Sequence, residues 1–202
     1  MEIQAVPNSA YWDAEASSFD DAADHGLRDP LVRDRWRQRL GVHLSGAGLA
    51  LDVGCGTGSL SLLLADLGYG VTGIDSSPRM IEEAQKKASA SDRQITFKVG
   101  DAAHPQCGDQ RFDVVLGRHI LWALPDVALA LSRWTDLLRQ GGQLVLVEGF
   151  WHTGLGLHRK QVETALPESV EIVQAEDLGS DPMLWGANVR DERFMVVARL
   201  RS

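Results

Sequence analysis

Short apolar runs alternate along this chain with stretches in which apolar residues recur every three or four positions, and the alternation begins near residue 49. "LALDV" (49–53) is a brief apolar run that stops at a glycine cluster, which reads as a buried strand. "SLSLLLADLG" follows, with Leu60, Leu63, Leu64 and Leu67 on one helical face and Gly68 placed to end the helix. "GVTGID" (70–75) is a second strand. In "SSPRMIEEAQKKASA", Ser77 suits an N-cap and Pro78 the first helical position, and Met80, Ile81, Ala84 and Ala88 form the apolar face. "QITFKVG" (94–100) and "RFDVVLG" (111–117) predict a third and fourth strand. "PDVALALSRWTDLLRQGG" predicts a helix with Val127, Ala130, Leu131, Trp134, Leu137 and Leu138 inward, stopped by Gly141 and Gly142. "QLVLVEGF" (143–150) is a fifth strand. A mixed loop and helix (151–167), a strand near 170–175, an irregular acidic stretch and a last strand "RFMVVARL" (193–200) complete the pattern.

Strands alternating with helices imply a parallel sheet covered on both faces, with ligands bound beyond the carboxyl ends of its strands. The places to search are therefore just after residues 53, 75, 100, 117 and 149. Residues 1–40 follow a different pattern, mixing aromatics with acids before the helix-like "LVRDRWRQRL", and are expected to form a cap on a core spanning residues 41–202.

At the first strand end, "DVGCGTGS" carries Gly54, Gly56 and Gly58 in G-x-G-x-G spacing, with Cys55 inside the loop and a helix starting behind it. Glycines there allow a sharp turn and a close approach to a ligand. A dinucleotide fingerprint needs a glycine where Ser59 stands, and the carboxylate of Asp52 would repel a pyrophosphate but attract an ammonium group. Asp75 ends the second strand, with Ser76 beside it, where an acid accepts hydrogen bonds from ribose hydroxyls. Asp101 ends the third strand and can bond an adenine amino group, with Ala102 and Met80 offering apolar faces to the ring.

These stretches, "LDVGCGTGSLSLLLADLGYGVTGIDSSPRMIEEA", "FKVGDAAHP", "RFDVVLGRHILWALPD" and "LLRQGGQLVLVEG", resemble in order and spacing the class I S-adenosylmethionine-dependent methyltransferases, closest to the compact group that acts on small molecules. The resemblance is strong over residues 45–150 and weak over 168–200. It implies an α/β, Rossmann-like, doubly wound sheet of seven strands, mostly parallel with an antiparallel last strand, beneath an N-terminal helical cap. It also implies that the Gly54–Gly58 loop holds the methionine part of S-adenosylmethionine with Asp52 near its amino group, that Asp75 binds the ribose, that Asp101 and Ala102 contact adenine, and that Gly117 and Arg118 close over the methionine end. S-adenosylhomocysteine would be the product.

Methyl transfer from a sulfonium chiefly needs alignment, and a base only where the acceptor must lose a proton. His119, just past the fourth strand, leads the candidate bases, followed by His152 and His25. Tyr11, Trp12, Trp122 and Trp151, with His119, are candidates to contact a flat, apolar acceptor on a nitrogen or oxygen atom. Trp134, on an inward helix face, reads as core. No His or His/acid pair has metal-ligand spacing, so no metal is expected.

Composition narrows the partner. The 202 residues carry a formal net charge of −8, and the cluster of Arg33, Arg35, Arg37 and Arg39 reads as a solvated helix face rather than a phosphate-binding stripe, so nucleic acid is not an expected partner. No apolar run reaches a membrane-spanning length, the opening "MEIQAVPNSAYWDAE" lacks a secretory apolar segment, and two separated cysteines form no disulfide framework. A cytoplasmic protein with a small-molecule substrate, monomer or homodimer, is the expectation. A non-catalytic S-adenosylmethionine-binding module and, behind it, a nicotinamide-dependent oxidoreductase are the alternatives.

Overall fold

The computed structural model describes residues 8–44, 46–91 and 93–201. Seven strands form one sheet: β1 (Gly48–Val53), β2 (Tyr69–Asp75), β3 (Thr96–Val99), β4 (Phe112–Arg118), β5 (Leu138–Phe150), β6 (Val170–Asp177) and β7 (Glu192–Leu200). Their order is β3-β2-β1-β4-β5-β7-β6. β1 to β5 pair in parallel, and β7 runs antiparallel between β5 and β6. The chain order reverses between β1 and β4, so the ends of these two strands flank the crevice where such sheets bind ligands.

Side chains alternate across the pleat, which makes two cores. Ala50, Val114, Leu116, Val145 and Val147 bury into one, and Leu51, Val53, Val115, Leu144 and Leu146 into the other. The first is covered by α3 (Pro30–His43) and α4 (Ser59–Asp66), with Trp36, Leu40, Leu60 and Leu63 buried. The second is covered by α6 (Val127–Asp136) and α7 (Arg159–Ala165), with Leu131, Trp134 and Val162 buried. α5 (Pro78–Ala90) begins as its sequence implies: the Ser77 hydroxyl accepts from the Met80 amide, with Pro78 in the first turn.

Several expected boundaries move. α6 ends at Asp136, and Leu138 belongs to β5, paired with Phe112. The register against β4 shifts across Gly141 (φ +74°) and Gly142, so that Gln143 faces Val114; the two glycines lie inside a strand and do not stop a helix. β3 is shortened to an edge strand. The arginine face of α3 is not simply solvated: Arg33 pairs with Asp66, Arg35 with Asp181, and Arg39 with both Glu176 and Asp181. The first pair ties α3 to α4, and the others stitch it to the end of β6 and the start of α8 (Pro182–Trp185), where Trp36 Nε1 donates to the Leu184 carbonyl at 2.7 Å. α3 also runs across the expected cap boundary at residue 40. The cap proper holds α1 (Ser9–Glu15) and α2 (Ala23–Gly26); of the expected cap, residues 1–7 lie outside the described residues. No described helix is long and apolar enough to cross a membrane.

Candidate active site

Beyond the ends of β1 and β4 lies a cavity of about 910 Å³, roofed by the cap. Its floor is the loop after β1. Gly54, Gly56 and Gly58 all sit at positive φ (68°, 51° and 77°), where a side chain would strain the backbone. A Cβ on Gly54 would lie 2.8 Å from the Ile120 side chain, and one on Gly56 would lie 3.2 Å from the Phe19 ring. Asp75 fixes this loop: one carboxylate oxygen accepts from the Gly56 amide and the other from the Ser77 amide, each at 2.9 Å. Burial raises the Asp75 carboxyl above its usual range, opposed by these backbone donors. Asp52 is almost wholly buried, accepts from the Ser61 hydroxyl, and is pushed up to about 6 by burial. Among the residues expected to bind a cofactor, Asp52, Gly54, Cys55, Gly56, Asp75, Ser76, Met80, Ala102 and Arg118 line the cavity. Gly58 lies behind the loop against Phe97. Asp101 is exposed outside the cavity wall, where its carboxylate accepts from the Ala103 amide.

The cavity's contents suit S-adenosylmethionine. The volume is ample for one cofactor and a small acceptor. Asp75 offers an acceptor toward ribose hydroxyls, Met80 and Ala102 are apolar neighbours for a purine, and the buried Asp52 is a carboxylate for the ammonium group.

The other half of the cavity is aromatic. Rings succeed one another from the cap to the strand ends: Tyr11 and Trp12 (centroids 5.0 Å apart), Trp12 and Phe19 (6.3 Å), Phe19 stacked on His25 (4.4 Å), His25 and His119 (6.5 Å), His119 and Trp151 (5.2 Å), and Trp151 and Trp122 (6.0 Å). The structure thus gathers all five candidate acceptor-contacting residues along one wall.

His119 is the first residue past β4 and has φ +57°, rare for a side chain of this size. Four hydrogen bonds hold it there. Its amide donates to the Val147 carbonyl, its carbonyl accepts from Trp122 Nε1 at 2.9 Å, and the next two amides, of Ile120 and Leu121, both donate to Glu148 Oε1. Its Nε2 is buried and has no hydrogen-bond partner. Burial first, then Arg118, Arg193 and His25, hold the imidazole well below its usual pKa, so it is neutral with a free lone pair at physiological pH. His25 also lines the cavity and is lowered, chiefly by burial. His152 is placed differently: it is exposed, outside the cavity wall, and faces Asp191 at 3.4 Å.

Sequence reasoning missed four participants. Glu148 is fully buried within an apolar run, and burial pushes its carboxyl up to about 8; a lone charge inside "LVLVEGF" was the available signal. Arg193 lines the cavity from β7, while Asp24 lines it from α2. Trp185 stacks behind His119 at 6.0 Å, from a stretch expected to be irregular. Asp24, His25 and His119 each present a metal-ligand atom, all within 4.8 Å of one another. No sequence spacing could reveal this trio, because it joins the cap to the turn after β4. The neighbouring guanidiniums of Arg118 and Arg193, whose field is felt by both histidines, oppose a cation there.

Comparison with known proteins agrees with this architecture. Residues 51–146 match the family model for a methyltransferase domain. An aklanonic acid methyltransferase from a Streptomyces species is 38% identical over 108 residues, 52% of this chain and 49% of that protein. A ubiquinone biosynthesis O-methyltransferase from Xanthomonas euvesicatoria is 34% identical over 139 residues, 67% of this chain and 54% of that protein. The chain thus spans about half the length of the curated relatives it matches. Among solved structures, an N-methyltransferase from Bradyrhizobium japonicum in complex with S-adenosylhomocysteine superposes with a TM-score of 0.74 at 23% identity, over 95% of this chain and 99% of that one. A magnesium protoporphyrin IX methyltransferase from Synechocystis with bound S-adenosylhomocysteine superposes with a TM-score of 0.67 at 25% identity, over 84% and 81%. By its matched domain, its strand order and the glycine loop at the end of β1, the chain belongs to the class I S-adenosylmethionine-dependent methyltransferases.

Proposed function

We propose that this protein binds S-adenosylmethionine and transfers its methyl group to an oxygen or nitrogen atom of a small planar acceptor. The observation that carries the reading is one cavity with two unlike halves: a glycine-and-carboxylate floor at the ends of β1 and β2, and an aromatic wall that converges on a neutral, unpartnered imidazole. The named relatives act on small molecules, which favours the same class of acceptor here.

When bound, S-adenosylmethionine would supply a methyl carbon on a positive sulfur, with the thioether as its leaving group. Asp75, which holds the glycine loop through the Gly56 amide, would also accept from the ribose hydroxyls. Asp52 would face the ammonium group, which would favour its ionised form. The aromatic wall orients a flat acceptor and excludes water, and such orientation contributes roughly 7–11 kcal/mol in favourable cases. His119 Nε2 accepts the proton that the acceptor loses.

Two measurements test this. A thermal shift with S-adenosylhomocysteine against NAD reads the cofactor class; at a hundredfold excess over Kd, the true ligand adds about 2.7 kcal/mol of stability. Stabilisation by NAD alone would overturn the reading. Formation of S-adenosylhomocysteine from a metabolite panel, followed by mass spectrometry, separates an enzyme from a binding module.

A further inference from the structure

A buried cation without an adequate partner stands in the acceptor half of the cavity. Arg193, at the start of β7, is 9% exposed and lies in the cavity wall. Its guanidinium is held between two indoles, 5.5 Å from the centre of Trp151 and 4.9 Å from that of Trp185. Nε is buried and has no hydrogen-bond partner. Among the described residues, the guanidinium makes one hydrogen bond, a long one of 3.4 Å from Nη2 to Asp191, and that carboxylate also receives the His152 amide. Asp24, across the cavity, forms no ion pair with it within 4.0 Å among the described residues.

A guanidinium keeps its charge even when buried, and its donors are costly to leave unmatched. Arg118 does not share this deficit, because it donates to the main-chain carbonyls of Asp24 and His25. Glu15 and Asp24 also line the cavity, but among the described residues neither pairs with Arg193, whose single carboxylate contact is the long one to Asp191. The unmatched donors of Arg193, in the cavity wall beside His119, call for a planar, negatively charged acceptor of hydrogen bonds. A carboxylate on an aromatic ring meets the fork of the guanidinium with two parallel bonds.

We propose that Arg193 anchors the acceptor through a carboxylate, so that the substrates are planar aromatic acids held beside His119. The inference rests on the methyltransferase reading for its catalytic meaning, but its test does not. The full chain, saturated with S-adenosylhomocysteine, is titrated with naphthoate and with naphthamide, its uncharged counterpart. Binding is followed by calorimetry and by quenching of tryptophan fluorescence, since Trp151 and Trp185 flank the guanidinium. Naphthoate is expected to bind about ten- to a hundredfold more tightly than naphthamide, the worth of a hydrogen bond to a charged group. Arg193→Gln should erase that preference and Arg193→Lys should keep part of it, with affinity for S-adenosylhomocysteine unchanged in both, which also shows that they fold. Naphthoate binding no tighter than naphthamide, or a preference that survives in Arg193→Gln, overturns the proposal. Failure of the wild-type chain to bind S-adenosylhomocysteine would instead count against the methyltransferase reading.

Discussion

His119 concentrates the chemistry of the site in one ring. Its backbone is left-handed, its Nε2 is buried without a partner, and its basicity is suppressed. If it is the base, His119→Ala should lower turnover by about 10²–10⁴-fold while leaving the calorimetric affinity for S-adenosylhomocysteine intact. Equal losses in both would make it a structural residue. Because its pKa lies below the usual 6.5, the proton-accepting form persists as the solution becomes more acidic. The acid limb of the kcat/KM profile is therefore expected below that of a free imidazole. Asp75 has a different duty, and Asp75→Ala should weaken cofactor binding by about tenfold or more, since charged hydrogen bonds are lost to both loop and ligand; unchanged affinity would remove it from the site. Position in the sequence made both residues visible, because Asp75 ends a recognisable strand and His119 directly follows one. Arg193 was not visible: its proposed role depends on Trp151 and Trp185 closing around it, and one follows β5 while the other ends α8.

Between elements, the decisive joint is Glu148 on β5 reaching under the turn after β4. Its carboxyl keeps its proton in the fold up to about pH 8, whereas the unfolded chain releases it near 4.5. The folded state then holds a proton that the unfolded state has lost, so stability falls as pH rises through that interval. Glu148→Gln lacks this slope, and urea midpoints measured between about pH 5 and about pH 8 should shift in its favour as pH rises. A difference that stays flat across the range would place the ionisation elsewhere. Gly54 acts at the facing turn, and Gly54→Ala is expected to cost about 1–3 kcal/mol in denaturant unfolding, from its positive φ and the clash with Ile120. Periodicity located the seven strands and the helices that cover the sheet, because both faces are covered and the apolar runs are correspondingly plain; the short α1, α2 and α8 left no period to read. It failed where a single register decided the outcome. Leu138 satisfies a helical face and a strand pair equally well, and only the pairing with Phe112 resolves it.

Across the whole molecule, the cap is tied to the sheet chiefly at the cofactor end. Lys87 on α5 pairs with Asp20 at 2.7 Å in a partly buried setting, Thr57 donates to the same Asp20, and Ser77 donates to Asp13. Cap attachment was legible in the sequence only as an aromatic and acidic opening; the latches join residues far apart in the chain. Lys87→Met should therefore accelerate dissociation of S-adenosylhomocysteine in stopped flow several-fold, with a small effect on Tm, as partly screened ion pairs contribute only modestly to stability. An unaltered off-rate would show that the cap does not gate that end. Phe19 belongs to this cap, and its ring presses on Gly56 on one side and stacks on His25 on the other. One phenyl ring thus stands between the glycine floor and the aromatic wall of the cavity. On the proposed function, an acceptor seated against His25 would hold that ring over the cofactor loop. Ordered kinetics are then expected, with cofactor first on and S-adenosylhomocysteine last off, so that product inhibition by S-adenosylhomocysteine is competitive with S-adenosylmethionine alone; mixed inhibition against S-adenosylmethionine would show that the ring imposes no order.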